Sequence, residues 1–84
     1  MLFVTILKAL PGKYEEATRL CRHPKVPENV EVKMFLGLFG KPDAIVIFEA
    51  PDASTAGDFA MQFGRVAESS TLLALPIEEF KWTW

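Results

Sequence analysis

The apolar residues of this chain fall into two alternating rhythms, and each change of rhythm marks an element. Residues 2–9 (LFVTILKA) are aliphatic, aromatic or β-branched almost throughout and end at Pro11-Gly12, which predicts a strand closed by a turn. Over residues 13–22 the spacing changes. Tyr14, Ala17, Thr18 and Cys21 fall at i, i+3, i+4 and i+7, one stripe of a helix, with Glu15, Glu16, Arg19 and Arg22 mostly outside it. The carboxylates come early and the arginines late, as the helix dipole favours, and Pro24 stops the helix. Residues 28–39 return to period two, which predicts Val30, Val32, Met34, Leu36 and Leu38 on one face and Glu31, Lys33, Phe35, Gly37 and Phe39 on the other. The turn Gly40-Lys41-Pro42-Asp43 leads into a strand over residues 44–50 (AIVIFEA), and so short a connection predicts a hairpin.

Pro51-Asp52 opens a second helix, with the Asp52 carboxylate as its N-cap. Ala56, Phe59, Ala60, Phe63 and Ala67 keep helical spacing along one stripe. Gly57 and Gly64 each weaken such a helix by about 1 kcal/mol relative to Ala, and Gly64 is read as its end. Residues 69–75 (SSTLLAL) predict a fourth strand, ended by Pro76. In residues 77–84, Phe80, Trp82 and Trp84 alternate, which predicts an extended tail laid on an apolar surface.

The order βαββαβ predicts a single α+β domain over residues 1–84, a four-stranded antiparallel sheet with two helices on one face. An antiparallel sheet with one wet face should alternate apolar with polar. These strands do not: Ala44, Val46, Phe48 and Ala50 oppose Ile45 and Ile47, and Leu2, Val4 and Ile6 oppose Phe3 and Leu7. A second copy packed on the uncovered face resolves the conflict, so a homodimer is expected.

Composition points the same way. A chain of 84 residues buries only roughly 60–65% of its unfolded surface and needs disulfides, a metal or association to be stable. Cys21 is the only cysteine and His23 the only histidine, which leaves no intrachain disulfide and no zinc set. Half the residues are hydrophobic. The net charge of −2 and the lack of a basic run argue against nucleic acid as a direct partner. Residues 2–7 are too few for a membrane span or a signal-peptide core, so no membrane association and a cytoplasmic location are expected, and a free Cys21 suits a reducing compartment.

The chain resembles the GYD-domain family of the dimeric α/β-barrel superfamily. The likeness rests on Phe3 to Lys8 in the first strand, on Gly40-Lys41-Pro42-Asp43 followed by Ala44 to Asp52, and on Phe59-Ala60, Phe63-Gly64, Thr71-Leu72 and Glu78-Glu79-Phe80. In the first helix, Pro11-Gly12-Lys13-Tyr14-Glu15 is similar instead to the ligand-binding domain of Lrp/AsnC regulators. Pro42 stands where the GYD family has its tyrosine. The resemblance implies a ferredoxin-like fold and a dimeric barrel, and it implies no particular activity.

Four residues are candidates for a ligand site. Asp43 begins a strand after a turn, either as a ligand-contacting carboxylate or as an Asx-type cap. Glu49 shares a face with Ile45 and Ile47, so burial in a dimer would raise its pKa and fit it for a base or a cationic ligand, unless the strand end reaches water. Thr5 would add a hydroxyl to the same pocket. His23 has the right pKa for proton transfer, but it also ends a helix, where an imidazolium caps the dipole. Cys21 falls in the buried stripe as an inert thiol. No catalytic residue, metal site or cofactor is assigned, for no phosphate loop, triad or metal spacing occurs.

The leading expectation is a small-ligand-binding or regulatory module, a homodimer or higher oligomer without catalysis, taking a small apolar or amino-acid-like molecule. The alternatives are a cofactor-independent enzyme of monooxygenase or isomerase type, as the superfamily implies, with Glu49 or His23 as base, and a purely structural assembly subunit. The pocket is expected on the uncovered face of the sheet, around Glu49.

Overall fold

A computed structural model describes residues 1–81, so Trp82 and Trp84 of the expected tail lie outside the described residues. Strand β1 (Leu2–Ala9), helix α1 (Tyr14–Arg22), strands β2 (Glu31–Gly37) and β3 (Ala44–Glu49), helix α2 (Ala53–Met61) and strand β4 (Ala67–Ala74) follow in the expected order. The sheet is antiparallel throughout, in the order β2-β3-β1-β4. This is the ferredoxin-like arrangement.

Strand β1 sits in the middle because it is the most continuously apolar segment. Its register sets Thr5 opposite Val46 on one side and opposite Thr71 on the other. Phe3, Thr5, Leu7 and Ala9 are buried on one face, as are Val46 and Phe48 of β3. Helix α2 covers that face with Ala56, Phe59 and Ala60. An aromatic chain runs through the core: Phe3 stacks on Phe48 at 5.8 Å, Phe48 lies 4.7 Å from Phe59, and Phe59 meets Phe63 edge-on at 5.7 Å. Phe63 in turn meets Phe35 of β2 edge-on. Such pairs add about 0.5–1.5 kcal/mol each beyond area burial.

Neither α1 nor α2 lies on the other face. Val4, Ile6, Ile45 and Ile47 line its centre half-buried, flanked by the exposed Met34, Leu36 and Leu72. No described helix is long and apolar enough to cross a membrane.

Three sequence expectations are corrected. Residues 28–39 do not alternate strictly, because Lys33 is an extra residue between Val32, opposite Phe48, and Met34, opposite Ile47. The bulge turns Val32 and Phe35 toward the helices and leaves Met34 and Leu36 on the open face. The helical stripe stops early: α2 ends at Met61, Gln62–Arg65 forms a 3₁₀ turn around Gly64, and Ala67 starts β4. The tail is not extended from its start, since Ile77–Glu79 is a 3₁₀ turn in which the Glu79 N–H donates to the Pro76 carbonyl at 2.9 Å.

Asp52 caps α2 as expected, its Oδ1 accepting the Thr55 N–H at 2.7 Å. That hydrogen bond from the Thr55 backbone holds the Asp52 carboxyl below its ordinary value. A depressed carboxyl contributes stability above its unfolded pKa and loses it as pH falls through the folded one. Asp52→Ala is therefore expected to lower the melting temperature at pH 7, with the gap to wild type closing on acidification below the ordinary carboxylate range. Thermal unfolding followed at a series of pH values checks this, and a gap that persists at pH 2 to 3 refutes it.

Candidate functional site

Small side chains meet at one end of the sheet. The register sets Ala44 opposite both Leu7 and Gly37, and Ala9 opposite Ala67. Above them passes α1, whose facing stripe holds Ala17, Thr18 and Cys21. Of its residues only Ala17 is buried, with Leu20 and Cys21 partly buried against the core. Neither layer carries enough side chain to fill the gap between them. A cavity of about 440 Å³ results, with Phe35, Phe63 and Val66 in its wall. That lies within the roughly 300–1,000 Å³ usual for small-molecule sites.

One carboxylate enters this apolar lining. Asp43 is half-buried, and its Oδ2 accepts the Ala9 N–H at 2.8 Å. Its own N–H donates to the Leu7 carbonyl, and its carbonyl accepts the Leu38 N–H, both at 2.9 Å. Three hydrogen bonds to two neighbouring segments fix the group. The turn leading to it holds Gly40 at a φ of 133° and a cis Lys41–Pro42 peptide bond. At the mouth stand Tyr14, Thr18 and Arg22, and the Thr18 hydroxyl donates to the Tyr14 carbonyl at 2.8 Å. Cys21 also lines the cavity, and burial pushes its thiol pKa up. A raised pKa keeps the sulfur protonated and a poor nucleophile. The arrangement can seat an apolar body whose hydroxyl or amine donates to Asp43.

The four candidates drawn from the sequence do not converge. Only Asp43 lines the cavity. Its contact to Ala9 is across strands, so the Asx-turn reading does not describe it. Thr5 is wholly buried on the helix side, sharing a 2.8 Å hydrogen bond with the Thr71 hydroxyl. Glu49 lies on the opposite face, exposed, with its Oε1 3.1 Å from the Lys33 ammonium. Thr5 and Glu49 therefore cannot share a pocket, because β1 and β3 pair Thr5 with Val46 and not with Glu49. His23 is exposed at the end of α1, where its backbone N–H, at 3.2 Å from each, donates to the Arg19 and Leu20 carbonyls.

The cavity thus sits under α1 and not on the uncovered face. Sequence reasoning passed over Tyr14, Phe35 and Ala44 as ligand-facing residues. The available signal was size: the supposed core stripe of the first helix has no Leu, Ile or Phe. Among the described residues no group of three or more His, Cys, Asp or Glu could hold a metal ion. No protein-family model matches the chain, and no curated protein does either.

Proposed function

We propose that this chain is a small-ligand-binding or regulatory module that acts as a homodimer in the cytoplasm, without a catalytic step of its own. The supporting observation is the 440 Å³ apolar cavity holding one anchored carboxylate, Asp43. Its ligand is a small apolar or amino-acid-like molecule carrying a hydrogen-bond donor. The enzyme alternative loses support from the same geometry, since neither Glu49 nor His23 lines that cavity. The open apolar face supports the dimer, as does the resemblance of the Gly40–Asp43 hairpin to GYD-domain chains.

Native mass spectrometry of protein purified from its own cells tests this, with Ala17→Leu as the comparison. Leucine at position 17 projects into the cavity and keeps helix propensity. It is expected to raise stability by about 1 kcal/mol, as cavity filling does, and to exclude the ligand. The expected spectrum is a dimer retaining a small molecule that Ala17→Leu lacks. Dimers empty in both proteins would point to an assembly subunit and overturn the ligand reading. A monomer would overturn the dimer.

A further inference from the structure

Helices α1 and α2 are each nine residues long. Isolated helices shorter than roughly 12–15 residues are marginal in water, so packing and caps must hold both. Helix α2 has these: Ala56, Phe59 and Ala60 are buried, and Asp52 caps its first turn. Helix α1 has little of either. Ala17 is its one buried residue, Leu20 and Cys21 are partly buried against the core, and Lys13 at the N-cap makes no side-chain capping bond. Nor do its hydrogen bonds reach the sheet. Among the described residues, every hydrogen bond and ion pair of residues 11–24 stays within that segment, apart from the Lys13 N–H donating to the Leu10 carbonyl.

The segment is pinned just outside its two ends. The Leu10 N–H donates to the Val66 carbonyl at 2.9 Å. Beyond Pro24, the Gln62 side chain holds Lys25 as a neighbouring strand would: its Oε1 accepts the Lys25 N–H and its Nε2 donates to the Lys25 carbonyl, both at 2.9 Å. The same Nε2 donates to the Phe59 carbonyl of α2 at 2.8 Å, which fixes this post. The cavity wall divides along the same line. Asp43 is bonded to Leu7, Ala9 and Leu38, and so belongs to the sheet. Tyr14, Ala17, Thr18, Cys21 and Arg22 belong to α1. We infer, on the reading of this cavity as a ligand site, that α1 is its lid. The helix swings as a unit between the posts at Leu10 and Lys25 and admits the ligand to a sheet that keeps Asp43 in place. The apolar surface of the ligand then holds the lid shut, because it packs the thin layer beneath Ala17. Occupancy is thereby read on the outside of the molecule, as the order of a helix whose Glu15, Glu16, Arg19 and Arg22 are exposed.

Native-state amide hydrogen exchange of the full chain, followed by NMR over a series of low urea concentrations, tests it. The amides of residues 17–22 are expected to be at least about 100-fold less protected than those of the central strand β1. Their exchange should be almost independent of urea, since opening a lid exposes little surface. Ala17→Leu serves as a built-in occupant, because its side chain fills the cavity from the lid itself. It should slow the exchange of residues 18–22 by about fivefold. Cys21→Leu, which fills the same cavity, takes its place if a circular dichroism melt shows Ala17→Leu unfolded. Residues 17–22 that exchange with the rate and urea dependence of β1 open only with the whole molecule, and that result overturns the lid. Local opening that the filled cavity does not slow overturns closure by occupancy. Neither outcome decides whether the cavity takes a ligand, which the mass retained in the native spectrum settles separately.

Discussion

Phe48→Ala is expected to leave much of the protein unfolded at 25 °C. Phe48 is wholly buried on a central strand, between Phe3 at 5.8 Å and Phe59 at 4.7 Å. Removing a buried phenylalanine costs about 3–5 kcal/mol in lost transfer energy and residual cavity. Small domains hold only roughly 5–15 kcal/mol in all, and a chain of this size belongs near the lower limit. The substitution therefore consumes most of the margin. Urea denaturation followed by far-ultraviolet circular dichroism measures it. Phe39, fully exposed in the β2–β3 connection, is the natural contrast, and Phe39→Ala should shift stability by no more than about 0.5 kcal/mol. Equal effects at the two positions would refute the assignment of the core.

The second large effect concerns association. Ile47 lies at the middle of the open face, half-buried, opposite Val4 on β1 and Met34 on β2. If that face is the interface, Ile47→Asp sets two carboxylates into its centre with no partner for either. Stranding a buried charge costs about 3–5 kcal/mol, and each 1.4 kcal/mol is tenfold in dissociation constant. The dimer is expected to weaken by more than about 100-fold, while the monomer keeps its fold because Ile47 points away from the aromatic core. Sedimentation velocity over a concentration series reports it. An unchanged dimer would move the interface elsewhere on the molecule.

The element order was legible because every change from period two to period 3.6 coincides with a Pro, Gly or Asp that ends or starts an element. The doubly apolar sheet was equally plain, since Ile45 and Ile47 have no polar alternates beside Val46 and Phe48. What alternation could not show was the bulge. A single extra residue at Lys33 inverts the assignment of everything before it in β2, and nothing in a strict period of two announces it. Thr5 and Glu49 fall on opposite faces for a related reason. Thr5 and Glu49 were joined by treating two separate strand alternations as one, whereas a face is defined only once the register between strands is known. Asp43 lines the cavity although only its position after a turn, and not its parity, drew attention to it. The cavity depends on absent volume, and Ala9, Gly37, Ala44 and Ala67 become neighbours only when the sheet is assembled.

The position of β1 carries a consequence for how the chain is made. Both of its neighbours are synthesised after it, and its partner Thr71 lies 66 residues downstream of Thr5. No local pairing can shelter Leu2 to Leu7 in the meantime. The hairpin of β2 and β3 can form as soon as its own residues are available, but the sheet cannot close until β4 has left the ribosome. Folding dominated by such distant pairings is slow. The aliphatic run of β1 is therefore a segment that a nascent polypeptide must keep from aggregating until β4 is available.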